Sequence, residues 1–385
     1  MDNSLSLYIH IPFCISKCDY CDFFSIKCQD KKIPDDYIKA LCSELLYRKK
    51  QYNIHILKTI YIGGGTPSLL SEKQIRFIFD FIRKNFILSD DIEITFEANP
   101  DDINLSLLEV LSGCGVNRLS LGIQSLCDDV LKFIHRRADK KKNLDAIRLI
   151  REKWNGQISV DLICGLPYET EKSFLQAVND IIEYKPHHIS MYSLTVEEGT
   201  VLFDKIQSGK IKYDYDFSDS LWLKAKDVLL KSGYVQYEIS NFCRDDFYSR
   251  HNMTYWSLES YIGAGSGASS TVYGNMDTVR FTNTDDINGY ISFWMSSPEE
   301  KNIPQQTEFL DEKTLEFEFF MMGFRTRRGI SREKFLSFFK RPLPSRFLEV
   351  FEQWKKKNLA QEKNGYFALN SDGMLFLNRF LEEIH

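Results

Sequence analysis

Short apolar runs alternate with longer amphipathic stretches over the first half of the chain. Residues 5–11 carry Leu5, Leu7, Ile9 and Ile11 at every second position and stop at Pro12, which is the pattern of a strand. Residues 34–53 begin with Pro34 and carry Leu41, Leu45 and Leu46 among charges, which is the pattern of a helix. The pair then repeats. A strand over 59–62 precedes a helix opened by Ser71 and Gln74 and lined by Ile75, Ile78, Phe79, Ile82 and Phe86. Strands over 92–98, 118–124, 158–164 and 188–194 are separated by helices over 105–111, 127–154 (two) and 174–184. Six strands with helical crossovers and no hairpin signal require a parallel sheet. Such a sheet is either open and doubly wound or an incomplete (β/α)6 TIM-like barrel. Both gather functional groups at the strand C-termini, where the first cysteines, a triple glycine, Glu97, Gln124 and Asp161 all fall.

Beyond residue 194 the rhythm changes. The pattern predicts a helix over 217–232, a strand over 234–240, a glycine-rich stretch over 262–270, a helix over 285–296 and a polar linker over 297–307. Helices over 312–324, 331–339 and 345–357, a short β segment ending near Leu369 and a last helix suggest a small winged-helix-like C-terminal domain. The expected organisation is a core over 1–200, an extension over 201–300 and the small domain over 301–385.

Composition narrows the partners. The 385 residues are 43% hydrophobic and 27% charged, with a net charge of −5, so no global basic field recruits nucleic acid. Local basic runs, such as Lys140 to Lys142, read as solvated faces. Nine cysteines, odd in number and mostly scattered, argue against a disulfide framework. No apolar run approaches membrane-spanning length and no leader-like segment precedes the first strand, so a reduced, cytoplasmic setting is expected.

The chemistry begins with Cys14, Cys18 and Cys21, spaced C-x3-C-x2-C. Three thiols are one too few for a structural zinc site or a fully ligated four-iron cluster, so three thiolates on a [4Fe-4S] cube would leave one iron open. A zinc knuckle, or three unrelated cysteines, are the other readings.

The spacing, with Tyr20 just before the last cysteine, resembles radical S-adenosylmethionine (SAM) proteins. Tyr8-Ile9-His10-Ile11-Pro12-Phe13-Cys14 and Cys18-Asp19-Tyr20-Cys21-Asp22-Phe23 look like the opening of the HemN/HemW group. Gly63-Gly64-Gly65-Thr66-Pro67 and Thr95-Phe96-Glu97-Ala98-Asn99-Pro100 add to the likeness, which covers nearly the whole chain. The resemblance implies a cluster on the three cysteines, whose open iron chelates the methionine moiety of SAM, with Tyr20 near the adenine. It implies that Tyr8 and Gly64 line that cofactor and that Glu97 hydrogen-bonds to it. Gly65, Thr66, Gln124, Arg136 and Asp161 match positions that hold a second SAM in coproporphyrinogen dehydrogenase, and Thr195 and Ser269 match more loosely. Taken alone, Glu97 and Asp161 also read as helix caps or partners of Arg118 or Arg136.

Two departures separate the chain from the dehydrogenase: Phe23 stands where that enzyme has a further cysteine, and the long N-terminal extension is missing. Together with His251-Asn252-Met253-Thr254-Tyr255-Trp256, they resemble the heme-chaperone branch. There His251 would ligate heme iron and Tyr255 and Trp256 would offer flat faces. Met253 and Cys243 are alternative ligands, and the other reading has His-Asn capping a turn with both rings in the core. The resemblance implies [4Fe-4S], SAM and heme as cofactors. It also implies a respiratory heme acceptor, reached by peripheral membrane contact, and a monomer or dimer. The alternative is oxygen-independent coproporphyrinogen III dehydrogenase, or a radical enzyme with another substrate.

Overall fold

The computed structural model describes residues 4–28, 32–274, 277–296 and 303–385. Its first strands are β1 (Ser4–Ile11), β2 (Phe13–Cys14), β3 (Ile26–Lys27), β4 (Ile56–Gly64), β5 (Ile87–Ala98), β6 (Arg118–Gln124), β7 (Gln157–Cys164) and β8 (His188–Ser193). Strands β1, β4, β5, β6, β7 and β8 lie side by side in chain order, every pair parallel. These are the six expected strands, with helices in the crossovers, including Asp35–Gln51 and Glu72–Asn85. The Ser71 and Gln74 side chains cap each other's backbone as the spacing predicts.

Alternation sorts the side chains. Leu7, Ile9, Ile60, Phe96, Leu121 and Val160 are buried in one apolar cluster with the helices. The intervening positions are polar and face the other way: His10, Thr95, Arg118, Ser120, Ser159 and His188 are all buried on the inner face. Tyr61 on β4 and Tyr192 on β8 line one cavity although four strand steps separate them. A flat sheet would hold them about 19 Å apart, so the sheet curls into a trough, the expected incomplete barrel.

The extension differs from expectation. Of the strand expected over 234–240 only β9 (Val235–Gln236) forms; it pairs antiparallel with β10 (Asn241–Cys243), which lies beyond β8. The glycine-rich stretch is mostly strand. It forms β11 (Tyr261–Ala264), parallel to β1, and turns into β12 (Ser269–Val272). Gly265 makes that turn at φ +107°, where a Cβ would lie 2.5 Å from the His10 carbonyl oxygen. Strands β13 (Thr278–Asn283) and β14 (Gln305–Leu310) continue antiparallel and complete a twelve-stranded sheet. The predicted linker is therefore strand from Gln305 onward, and its first part, 297–302, lies outside the described residues.

One buried carboxylate ties this extension to the core. Glu44, from helix Asp35–Gln51, accepts hydrogen bonds from Gly265 N (2.9 Å), Asn283 Nδ2 (2.7 Å) and the Tyr290 hydroxyl (2.6 Å), and pairs with Arg48 Nε at 3.3 Å. Both charged side chains are fully buried.

The C-terminal segment packs around its own cluster, which includes Phe324, Phe335, Phe347, Phe351 and Phe380. Helix Glu312–Phe324, β15 (Ile330–Ser331), helices Arg332–Phe339 and Ser345–Lys356, the hairpin β16 (Ala360–Lys363) and β17 (Tyr366–Leu369), and helix Leu377–Ile384 follow in the winged-helix order. Among the described residues, no helix is long and apolar enough to cross a membrane.

Glu44→Ala strands the Arg48 charge in a dry interior and is expected to cost about 3–5 kcal/mol. Urea unfolding checks this, and an unchanged midpoint would remove the pair from its anchoring role.

Candidate cofactor site

At the C-terminal ends of the parallel strands lies a cavity of about 550 Å³. The cysteine loop forms one wall. Its base is zipped by the β2–β3 pair, with Ile26 N donating to Pro12 O (2.8 Å) and Cys28 N to Cys14 O (2.7 Å). Its tip is held by Asp19, a buried carboxylate between two of the cysteines: His135 Nδ1 lies 2.7 Å from one oxygen and the Lys205 ammonium donates to the other. Asp19 N also donates to Ile134 O and Asp19 O accepts from Leu202 N.

The glycine turn forms the facing wall. Register places Ile11 beside Gly64, so the cysteine loop and the glycine turn leave the sheet together. Gly65 N donates to Ile11 O, and a Cβ on Gly65 would lie 2.8 Å from the Phe13 backbone. Gly64 has φ +110°, and its N–H donates to Glu97 Oε2 at 3.2 Å, while the Tyr61 hydroxyl donates to Oε1 at 2.7 Å. Burial pushes the Glu97 carboxyl up to about 7.

The cavity brings together most of the expected site: Cys14, Cys18 and Cys21 with Tyr20; Gly64, Gly65 and Thr66; and Glu97, Gln124, Arg136, Asp161 and Thr195. Thr66 Oγ1 donates to Cys14 Sγ (3.4 Å) and Arg136 Nη1 to Cys18 Sγ (3.7 Å). Gln124 ends β6 in the left-handed region, φ +68°. Asp161 accepts from the Ser120 hydroxyl at 3.0 Å, and burial raises its carboxyl.

Tyr8, His251 and Ser269 are not among the residues lining this cavity. The Tyr8 hydroxyl sits 2.9 Å from His10 Nδ1, and His10 Nε2 reaches the Phe24 carbonyl at 2.9 Å, holding the exit of the cysteine loop. Ser269 bonds Thr282 across the β12–β13 pair. His251 is buried, with Nδ1 2.7 Å from Thr59 Oγ1 and Nε2 2.7 Å from the Tyr255 hydroxyl. Both ring nitrogens are engaged, and burial lowers its pKa to about 3.

Sequence reasoning passed over Tyr61, Tyr192 and Asp19. Tyr61 shares the inner face with Gly63 by strand alternation, and Asp19 lies inside the cysteine motif, so both carried a readable signal.

The residues suit an iron–sulfur cube better than a single ion. Among the described residues, no three His, Cys, Asp or Glu converge as one metal ion requires, whereas three free thiols share one cavity wall. Arg136 Nε, buried with no hydrogen-bond partner, adds an unmet polar demand at the cavity.

Fold and site together define a radical SAM protein. The model of the Radical SAM superfamily matches residues 8–181. The chain is 35% identical over 377 residues to the heme chaperone HemW of Bacillus subtilis (strain 168), covering 97% of each. It is 31% identical over 383 residues to that of Escherichia coli (strain K12), covering 98% of this chain and 97% of the other. The chain belongs to the HemW family. Its fold matches coproporphyrinogen III oxidase (HemN) from Escherichia coli with a TM-score of 0.81 at 22% identity, over 99% of this chain and 90% of that one. The cofactors of the superfamily are a [4Fe-4S] cluster and SAM.

Two outcomes follow. Cys18→Ser is expected to abolish the iron–sulfur absorbance near ~400 nm and the bound iron of reconstituted protein, and normal iron content would refute the ligand assignment. Glu97 is mostly protonated below pH 7 and ionised above it, so affinity for the sulfonium cation of SAM should rise about fivefold from pH 6 to pH 7. Glu97→Gln should flatten that rise in calorimetric titrations.

Proposed function

We propose that this protein is a cytoplasmic heme chaperone that holds a three-cysteine [4Fe-4S] cluster with SAM, binds heme, and passes it to a respiratory, membrane-associated acceptor. The observation that carries the reading is near-full-length likeness to proteins named heme chaperone HemW. Phe23 supports it, because the dehydrogenase has a further cysteine there, and Phe23 is 69% exposed beside the cluster loop.

Cys14, Cys18 and Cys21 would hold the cluster, Gly64 and Gly65 would admit the methionyl group by close backbone approach, and Tyr20 would pack beside the adenine. When bound, the cluster supplies an open iron that chelates SAM and an electron for its reduction. Glu97 orients the glycine turn through Gly64 N, and Arg136 keeps a cation beside Cys18. Thr66, Gln124, Asp161 and Thr195 border the remaining space, where a second small molecule would sit. That complete cavity favours one second reading, oxygen-independent coproporphyrinogen III dehydrogenase.

Anaerobic titration of reconstituted protein with hemin separates the two. A Soret shift with one heme per chain, and no protoporphyrinogen IX formed from coproporphyrinogen III, is expected. Absence of the shift, or turnover matched by 5'-deoxyadenosine release, would replace the chaperone with the enzyme.

A further inference from the structure

The sequence element associated with heme does not open onto the cluster cavity. Helix Arg250–Trp256 has two sides with different surroundings. Its inward side carries His251, closed on Thr59 and Tyr255. Its outward side carries Met253 and Trp256, and these face a second cavity, of about 370 Å³, between this helix and the C-terminal module. That volume lies within the range of small-molecule sites, about 300–1,000 Å³.

The walls of this cleft are of two kinds. The apolar wall includes Met253, Trp256 and Phe319. The polar wall, from the C-terminal module, includes Arg328, Lys334 and Glu333. Arg325 stacks on the Trp256 ring, its guanidinium carbon 4.7 Å from the centroid. Among the lining residues, two cations, Arg328 and Lys334, stand against one carboxylate, Glu333. Two buried donors here lack partners, Trp256 Nε1 and Arg325 Nε. Among the residues lining the cleft there is no histidine or cysteine, and Met253 brings the only thioether.

A flat apolar face, a surplus of positive charge, unmet donors and one soft sulfur describe the complement of a planar, hydrophobic dianion with a metal at its centre. We infer that this cleft is where heme is carried, with Met253 as the side chain nearest the iron and with Arg328 and Lys334 meeting the propionates. His251 is then a positioning residue. Its two hydrogen bonds fix the inner side of the helix, and the outer side is thereby set against the C-terminal module. This assignment rests on the heme-chaperone reading and deepens it. It places cargo and cluster on different faces of the protein, and it makes the C-terminal module half of the heme site.

The test uses full-length reconstituted protein and two probes, hemin and metal-free protoporphyrin IX. For Arg328→Glu/Lys334→Glu, both probes are expected to bind at least ~10-fold more weakly than to wild type, with iron–sulfur absorbance and circular dichroism retained. For Met253→Leu, which keeps the bulk of the side chain, the Soret position of bound hemin should shift, while protoporphyrin IX affinity stays within about twofold. Wild-type affinity for both probes in the charge-reversed variant would overturn the cleft while leaving the chaperone reading intact. An unmoved Soret band in Met253→Leu would overturn the thioether ligand. No hemin binding by wild type would bring down the chaperone reading itself.

Discussion

The site depends on the register of two neighbouring strands. β1 and β4 run parallel with Ile11 opposite Gly64, so the cysteine loop and the glycine turn emerge from the sheet at the same level. Contact there is backbone on backbone: a Cβ on Gly65 would lie 2.8 Å from both the nitrogen and the carbonyl oxygen of Phe13. A slip of one residue would send Glu97's neighbours to the outer face and the apolar outer row into the trough. The same register that buries Ile9 and Ile62 in the helix-covered layer therefore brings a sulfur-bearing loop to a carboxylate-backed turn.

Burial of polar groups on the inner face gives the trough its character. Arg118, Ser120, Ser159 and His188 sit out of water on adjacent strands, with the half-buried Asp161 beside them at the cavity. A row of polar groups in a dry interior is costly unless each finds a partner. Many do, within the trough: Ser120 donates to Asp161, and Ser159 bonds His188, whose other ring nitrogen meets the Tyr237 hydroxyl. Those left over, Thr95 Oγ1, Arg118 Nε and Arg136 Nε, fall in the same inner region. Part of the molecule's unmet polarity thus lies where a ligand would be received.

The parallel core was legible because each strand repeats an apolar side chain at every second position and each helix carries its own cap, as Ser71 and Gln74 do. The winged-helix order was legible for the same reason. What escaped was set by distant residues. Strand β11 read only as part of a glycine-rich stretch because its partner β1 lies more than two hundred residues away, as does Glu44, which holds the turn at Gly265. Most of the cluster cavity could be named from motifs. The place of His251 could not, since nothing in His-Asn-x-x-Tyr-Trp reveals that Thr59 and Tyr255 take both ring nitrogens.

Helix Arg250–Trp256 has only seven residues, too few to be stable alone, so its orientation is decided by what grips it. Glu93 on β5 does so at the N-terminus, accepting from His251 N (2.9 Å) and Arg250 N (3.0 Å), where the helix dipole favours a carboxylate. Four residues along the same strand face, Glu97 accepts from Gly64 N beside the cysteine loop. One rigid segment of β5, about 13 Å long, thus sets both the glycine turn of the cluster cavity and the helix that borders the outer cleft. Any displacement of that strand would be felt at both ends, so the two cavities share a mechanical reference although no side chain lines both.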